Sequence, residues 1–308
     1  MNLGYACINT MLNSDKNRVT TNRTMTKKTF KEKGLAYASE LSLKNSKDIL
    51  KILQWNEEHG IKFFRLSSDL FPWASEYELK ALPDYEEICE VLETAGLYAL
   101  AFGHRITTHP GPFNVLCSPK DNVVENTIRE LERHSEVFDL MGLEESPYAK
   151  INIHVGGSYG GDFEGTAQRW VENYFNLSPV CRNRITVEND DKKSMWSTVL
   201  LYDLIHKNTS APIVFDYHHH KFCDGGLSEK EALEMALSTW NNVLPVVHYS
   251  QSRSEEGKDT KIKPQAHSDS YWTPINTYGH NFDVMLECKK KEQGLFKMRQ
   301  LLGEINWH

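Results

Sequence analysis

Eight residues of this chain have side chains suited to a divalent metal: His109, His154, Glu188, Asp216, His219, His248, His267 and Glu287. Imidazole nitrogen mixed with carboxylate oxygen suits Mn²⁺, Zn²⁺ or Fe²⁺. Eight donors exceed what one tetrahedral or octahedral ion takes from protein, so the set implies a cluster of two or three ions with Glu188 placed to bridge. Two ions about 3.5–4 Å apart can activate a water and steady the leaving oxygen of a phosphodiester. Taken singly, a histidine on an apolar strand is more often a packed, hydrogen-bonded side chain than a ligand. The recurrence changes that reading.

Five of these positions close short apolar runs: Thr108-His109-Pro110, Ile151-Asn152-Ile153-His154, Thr186-Val187-Glu188, Val214-Phe215-Asp216-Tyr217-His218-His219-His220 and Val246-Val247-His248. β-Branched runs that repeatedly stop on His, Glu or Asp are what the strand ends of a parallel barrel look like, because one rim of a (β/α)8 barrel carries the active site. The pattern predicts strands at 4–8, 62–66, 97–102 (running on to His109), 149–154, 184–188, 211–216, 243–248 and 281–286. Helical stretches are expected between them: two within 28–59, one over 85–95 ended by Gly96, and one opened by Ser118-Pro119 and ended by Gly142. Further helices are expected at 165–174, 196–205 and 228–240. Eight strand–helix units define a (β/α)8 TIM barrel, read as a single domain over 1–308. The polar stretch 250–271 suits a functional rim loop. His218 and His220 would face away from His219 if their strand continued. His59, His134, His206, His280 and His308 read as ordinary structural histidines.

Composition sets the bounds. The 308 residues carry 40% hydrophobic and 25% charged side chains, as soluble globular proteins do. No apolar run approaches the roughly 20 residues of a membrane span. The N-terminus has no basic region followed by an apolar one, so an intracellular location is expected. The six cysteines are dispersed without a C-x-x-C pair, which favours reduced thiols. A net charge of −7 argues against a protein coated in positive charge, yet metal can neutralise clustered acids. Local basic segments, Lys261 and Lys263 among them, remain available for phosphates.

Read in order, the motifs resemble those of the UV damage endonucleases (UVDE), nearly end to end. They include Gly4-Tyr5-x-Cys7-x-Asn9, Thr20-Thr21-Asn22-Arg23-Thr24, Phe64-Arg65-Leu66-Ser67-Ser68-Asp69, His109-Pro110-Gly111 and Asn152-x-His154-x-Gly156-Gly157. Glu188-Asn189-Asp190-Asp191, Phe215-Asp216-Tyr217-His218-His219-His220, His248-Tyr249-Ser250, Ala266-His267-x-Asp269 and Asp283-x-Met285-Leu286-Glu287 complete the series. The resemblance implies a metal-dependent barrel that nicks DNA on the 5′ side of a UV photoproduct and leaves a 3′-hydroxyl. It implies a divalent cluster, most often with Mn²⁺ and alternatively with Mg²⁺, Zn²⁺ or Co²⁺, held by the eight residues above. It also implies that Tyr5 and Asn9 line the pocket beside the scissile phosphate. Damaged double-stranded DNA and downstream repair enzymes are the expected partners of a monomer.

Two positions depart from the family pattern. Where the family typically has a lysine two residues before the strand-seven histidine, modified in some members to bridge metals, this chain has Val246. After His109-Pro110-Gly111 the family usually places a Gln and an aromatic that probe the duplex opposite the lesion; here stand Pro112 and Phe113. Phe113 retains the apolar wedge that kinks DNA between base steps. Two other readings compete: a metal-dependent sugar isomerase or epimerase on the same barrel, since fold does not decide chemistry, and a non-catalytic lesion-binding protein.

Overall fold

The computed structural model describes residues 1–13 and 18–303; His308 lies outside the described residues. Eight parallel strands close into one barrel in sequence order. They are β1 (Leu3–Ala6), β2 (Phe63–Leu66), β3 (Arg105–Thr108), β4 (Ile151–Ile153), β5 (Ile185–Glu188), β6 (Ile213–Asp216), β7 (Val246–Tyr249) and β8 (Asp283–Leu286). Outside them run α1 (Lys27–Glu58), α2 (Tyr85–Ala101), α3 (Asp121–Leu140), α4 (Phe163–Tyr174), α5 (residues 198–209, with a π-helical segment Leu201–His206), α6 (Glu229–Leu237) and α7 (Lys291–Leu301). The β7–β8 connection carries only the short helix Arg253–Gly257, so the polar stretch expected as a rim loop is one. Among the described residues no helix is long and apolar enough to cross a membrane. All six cysteines are free.

Two expectations are corrected. Residues 97–102 are not a strand: α2 runs through Gly96 to Ala101, and Gly103 at φ +67° turns the chain into β3. Gly96 is there for proximity, since a Cβ on it would lie 1.7 Å from the Met141 carbonyl oxygen at the end of α3. The start of α3 also shifts, to Asp121, while the Ser118 hydroxyl accepts from the Lys120 amide at 3.2 Å just upstream. The two helical stretches expected within 28–59 are present: α1 is two helices joined across Gly34, whose φ of +62° and ψ of −157° are not helical and are adopted readily only by glycine.

Alternation along each strand sends one face outward and the other inward. The outward faces join the helices in the main core, which includes Tyr5, Phe64, Ile151, Val187 and Phe215. The inward faces fill the barrel from below with Ala6, Phe63, Val214, Val246 and Met285, closed by Trp240. Above this plug the inward side chains become polar.

Candidate metal centre at the C-terminal rim

Glu188 ends β5 and lies at the centre of the cup, buried to 1% exposure. Its Oε2 accepts from His109 Nε2 at 3.1 Å and from the Asn152 amide, and lies 3.0 Å from His248 Nδ1 and 3.9 Å from His154 Nε2. Its Oε1 faces His219 Nδ1 at 3.4 Å. Burial raises the carboxyl, but the neighbouring His248 and His154 and the bond from His109 hold it well below the usual carboxylate range. Two potential ligand sets form here, His109/His154/Glu188 and Glu188/Asp216/His248, and they share Glu188.

Strand register explains the convergence. Asp216 on β6 pairs with His248 on β7, and His248 with Met285 on β8, so ligands from neighbouring strands lie side by side. The chain then bends, because Asp216 Oδ1 accepts the His219 amide at 2.8 Å and caps the turn Tyr217–His220. That turn, rather than a continuing strand, separates the three histidines. His219 joins the cup, while His218 turns to the Gln265 carbonyl at 3.2 Å and His220 packs against Phe215. His267, on the β7–β8 loop, sits 2.8 Å by Nδ1 from the Glu287 carbonyl, and the Glu287 side chain is paired with Arg65. All eight candidate ligands therefore face one cup. His219, His267 and Glu287 form its border.

The residues fit a metal cluster. Asp216 Oδ2 and His248 Nδ1 are buried with no hydrogen-bond partner among the described residues, although carboxylates flank the latter. Burial, opposed by His219 and aided by Glu188 and Glu287, pushes the Asp216 carboxyl up to about 6. Outer partners orient the imidazoles in the way ligand histidines require. His109 Nδ1 meets the Pro110 carbonyl at 3.1 Å, His219 Nδ1 the Asn189 carbonyl at 2.8 Å, and His154 Nδ1 lies 3.0 Å from Asp190 Oδ1. Burial lowers His154, but Glu188 and Asp190 outweigh it and bring the imidazole up to about 10.

Tyr5 and Asn9 are not in the cup. Tyr5 faces outward from β1, its hydroxyl donating to Asn56 Oδ1 on α1 at 2.7 Å and accepting from Asn9 Nδ2 at 2.9 Å. Both are fully buried, braces between strand and helix rather than pocket lining, because β1 turns its Gly4/Ala6 face inward. Phe113 stands at the tip of the β3–α3 loop, 89% exposed, next to exposed Pro112. Lys261 and Lys263 are exposed on the β7–β8 loop.

Residue types alone assigned no role to Asn152, Arg65 or Lys150. Thr186 Oγ1 donates to Asn152 Oδ1 at 2.8 Å, which turns the amide nitrogen to Glu188. The spacing signal was present: Asn152 and Lys150 lie two and four residues before His154, on its face of the strand. Val246 lies below His248 in the apolar plug. The amine that reaches His248 is instead that of Lys150, which burial holds well below the ordinary lysine range against the pull of Glu188.

A closed (β/α)8 barrel with a cup of imidazoles around a shared carboxylate at its C-terminal rim defines a barrel whose rim could hold a metal ion. The comparisons narrow the class. The model of the UV-endonuclease UvdE family matches residues 1–307. The UV-damage endonuclease of Schizosaccharomyces pombe is 36% identical, over 96% of this chain and 50% of its own length. That of Neurospora crassa is 35% identical with the same coverage. The chain thus spans about half the length of these two relatives. The UV DNA damage endonuclease of Bacillus mycoides is 35% identical over 86% of this chain and 82% of its own. The crystal structure of SacUVDE superposes with a TM-score of 0.83 at 30% identity, covering 99% of both chains. This chain belongs to the UvdE family. A D-psicose 3-epimerase from Clostridium cellulolyticum, at 12% identity and a TM-score of 0.52 over 94% of this chain and 85% of its own, shares the fold alone.

Proposed function

We propose that this protein is a metal-dependent DNA repair endonuclease that cuts the backbone 5′ to a UV photoproduct and leaves a 3′-hydroxyl. The observation that carries the reading is the pair of ligand sets sharing Glu188 in a buried cup. Family membership supports the substrate. Bound divalent ions, Mn²⁺ foremost, would supply Lewis-acid chemistry: activation of water and stabilisation of charge on the leaving oxygen. His109 and His154 would hold one side of the cluster, Asp216 and His248 the other, Glu188 both, with His219, His267 and Glu287 completing the border.

The chain's own residues do the rest. Asn152 keeps one Glu188 oxygen fixed, and the apolar plug beneath denies water a second route to the site. Phe113, free of packing, would enter a weakened base step, since a lesion lowers the cost of unstacking. Lys261 and Lys263 would meet backbone phosphates and make binding salt-dependent. A single subunit inside the cell would then pass the nick to downstream repair enzymes.

The test is a duplex carrying one cyclobutane dimer, incubated with protein and Mn²⁺ and mapped on a sequencing gel. Cleavage immediately 5′ to the dimer, abolished by chelator, is the expected result. Tight lesion binding without any cut would instead favour the binding-protein reading.

A further inference from the structure

Lys150, Asn152 and His154 form one inward column on and around β4, two residues apart. The upper two touch Glu188. Lys150, the lowest, is fully buried and sends its amine across the barrel to β7, where Nζ lies 3.2 Å from His248 Nε2. That contact is the amine's only hydrogen bond among the described residues, and no carboxylate oxygen pairs with it there. The other ring nitrogen of His248, Nδ1, is 3.0 Å from Glu188 Oε2 and 3.3 Å from Glu287 Oε1 with no hydrogen bond aligned to either.

We propose that Lys150 is the positioning residue for His248: by tying Nε2 from below, it holds Nδ1 in the cup as a ligand atom. The proposal rests on reading the cup as a metal centre. An imidazole turns about a broad, roughly two-fold outer torsion. Packing therefore chooses poorly between a ring with Nδ1 upward and one flipped to present a carbon. A partner on the second nitrogen makes the choice, and ligand histidines ordinarily find a carbonyl or carboxylate for it. His109, His219 and His267 lean on the carbonyls of Pro110, Asn189 and Glu287, and His154 Nδ1 lies 3.0 Å from Asp190 Oδ1 without an aligned hydrogen bond. Among the described residues no carbonyl or carboxylate pairs with His248 Nε2. Val246, below it on the same face, is aliphatic, so the lysine occupies the slot. Stability does not account for the side chain, because burying an amine for one hydrogen bond gains little over an apolar chain of the same length.

The experiment compares wild type with Lys150→Met, nearly isosteric and without a donor. In ¹⁵N-labelled, metal-free wild type, the His248 Nε2 resonance should have the position of a hydrogen-bond acceptor and should move in the variant. Mn²⁺ affinity, read from the free-ion electron paramagnetic resonance signal without DNA, should fall about tenfold or more, the cost typical of a lost outer-shell partner. The melting temperature of the metal-free variant should not fall. Unchanged Mn²⁺ affinity overturns the proposal, as does a fall in affinity matched by a fall in metal-free stability, which would mean the chain only fills space. A wild-type Nε2 resonance typical of an unbonded nitrogen also overturns it and needs no variant to fold. A wild type that binds no Mn²⁺ refutes the metal reading beneath it, while the Nε2 resonance still decides whether the tie exists.

Discussion

The two ends of the barrel interior treat buried charge in opposite ways. At the lower end Arg105 and Asp283 pair at 3.1 Å, both fully buried. Arg105 also donates to the carbonyls of Tyr148, Leu244 and Pro147, and Asp283 accepts the Asn2 amide at 2.7 Å. Every side-chain nitrogen and oxygen of this pair has a hydrogen-bond partner. At the upper end Asp216 Oδ2 and His248 Nδ1 have no hydrogen bond among the described residues, and three carboxylates crowd among histidines. A saturated pair is structural cement. Unsaturated donors in the same low-dielectric space are held ready for something that binds.

Substitutions that act on only one end test this contrast. Glu188→Gln should abolish nicking, well beyond the roughly 10–100-fold cost of losing an outer-shell partner. The protein should stay folded and bind damaged duplex within about tenfold, since phosphate contacts supply most affinity. Incision assays beside a binding titration measure this, and a fully active variant would remove the shared carboxylate from the mechanism. Arg105→Met should do the reverse. Leaving Asp283 buried and unpaired should cost about 3–5 kcal/mol in denaturant unfolding, while incision per folded molecule is retained. If activity falls with stability intact, the lower pair belongs to the site after all.

Phe113→Ala should weaken binding to lesion duplex by about 1–3 kcal/mol, the range for losing one aromatic that stacks on a base. Its melting temperature should not move, whereas a packed phenylalanine loses about 3–5 kcal/mol on truncation. A clear drop in melting temperature would place the ring in the fold instead.

The smallest effect is with pH. Asp216 sits near 6 in the metal-free protein, raised chiefly by burial. A raised carboxyl contributes stability that is fully present below its unfolded value and is lost as pH rises through about 6. Ligation requires the carboxylate, so below 6 metal binding must release its proton, costing about tenfold in affinity per pH unit from this group. The rise in melting temperature caused by Mn²⁺ should therefore be largest above 6 and shrink below it. His154, near 10, adds a steady slope across this window but no break. Asp216→Asn should erase the break; an unchanged profile in that variant would assign it elsewhere.

Much of this was legible in the chain. Period-two alternation places residues on strand faces without tertiary information, so His109, His154, Glu188, Asp216 and His248 could be read as ligands of one rim. Helix ends were less legible, because a glycine signals a turn and a close approach alike: Gly96 serves the second and Gly103 the first. The three consecutive histidines could be told apart only once Asp216 capped a turn at that point. Tyr5 and Asn9 fit the family motif but brace α1, and it took the inward Gly4/Ala6 face to decide that.

The sequence by itself determined the barrel and the types of the candidate ligands, because each depends on local alternation and side-chain chemistry. Which atoms meet across the barrel was decided by tertiary structure alone. That Glu188 is shared by two potential ligand sets depends on the register of β5 against its neighbours, and that a lysine from β4 reaches a histidine on β7 depends on closure of the sheet. Both contacts join residues tens of positions apart, across a closed interior whose dimensions no single strand encodes.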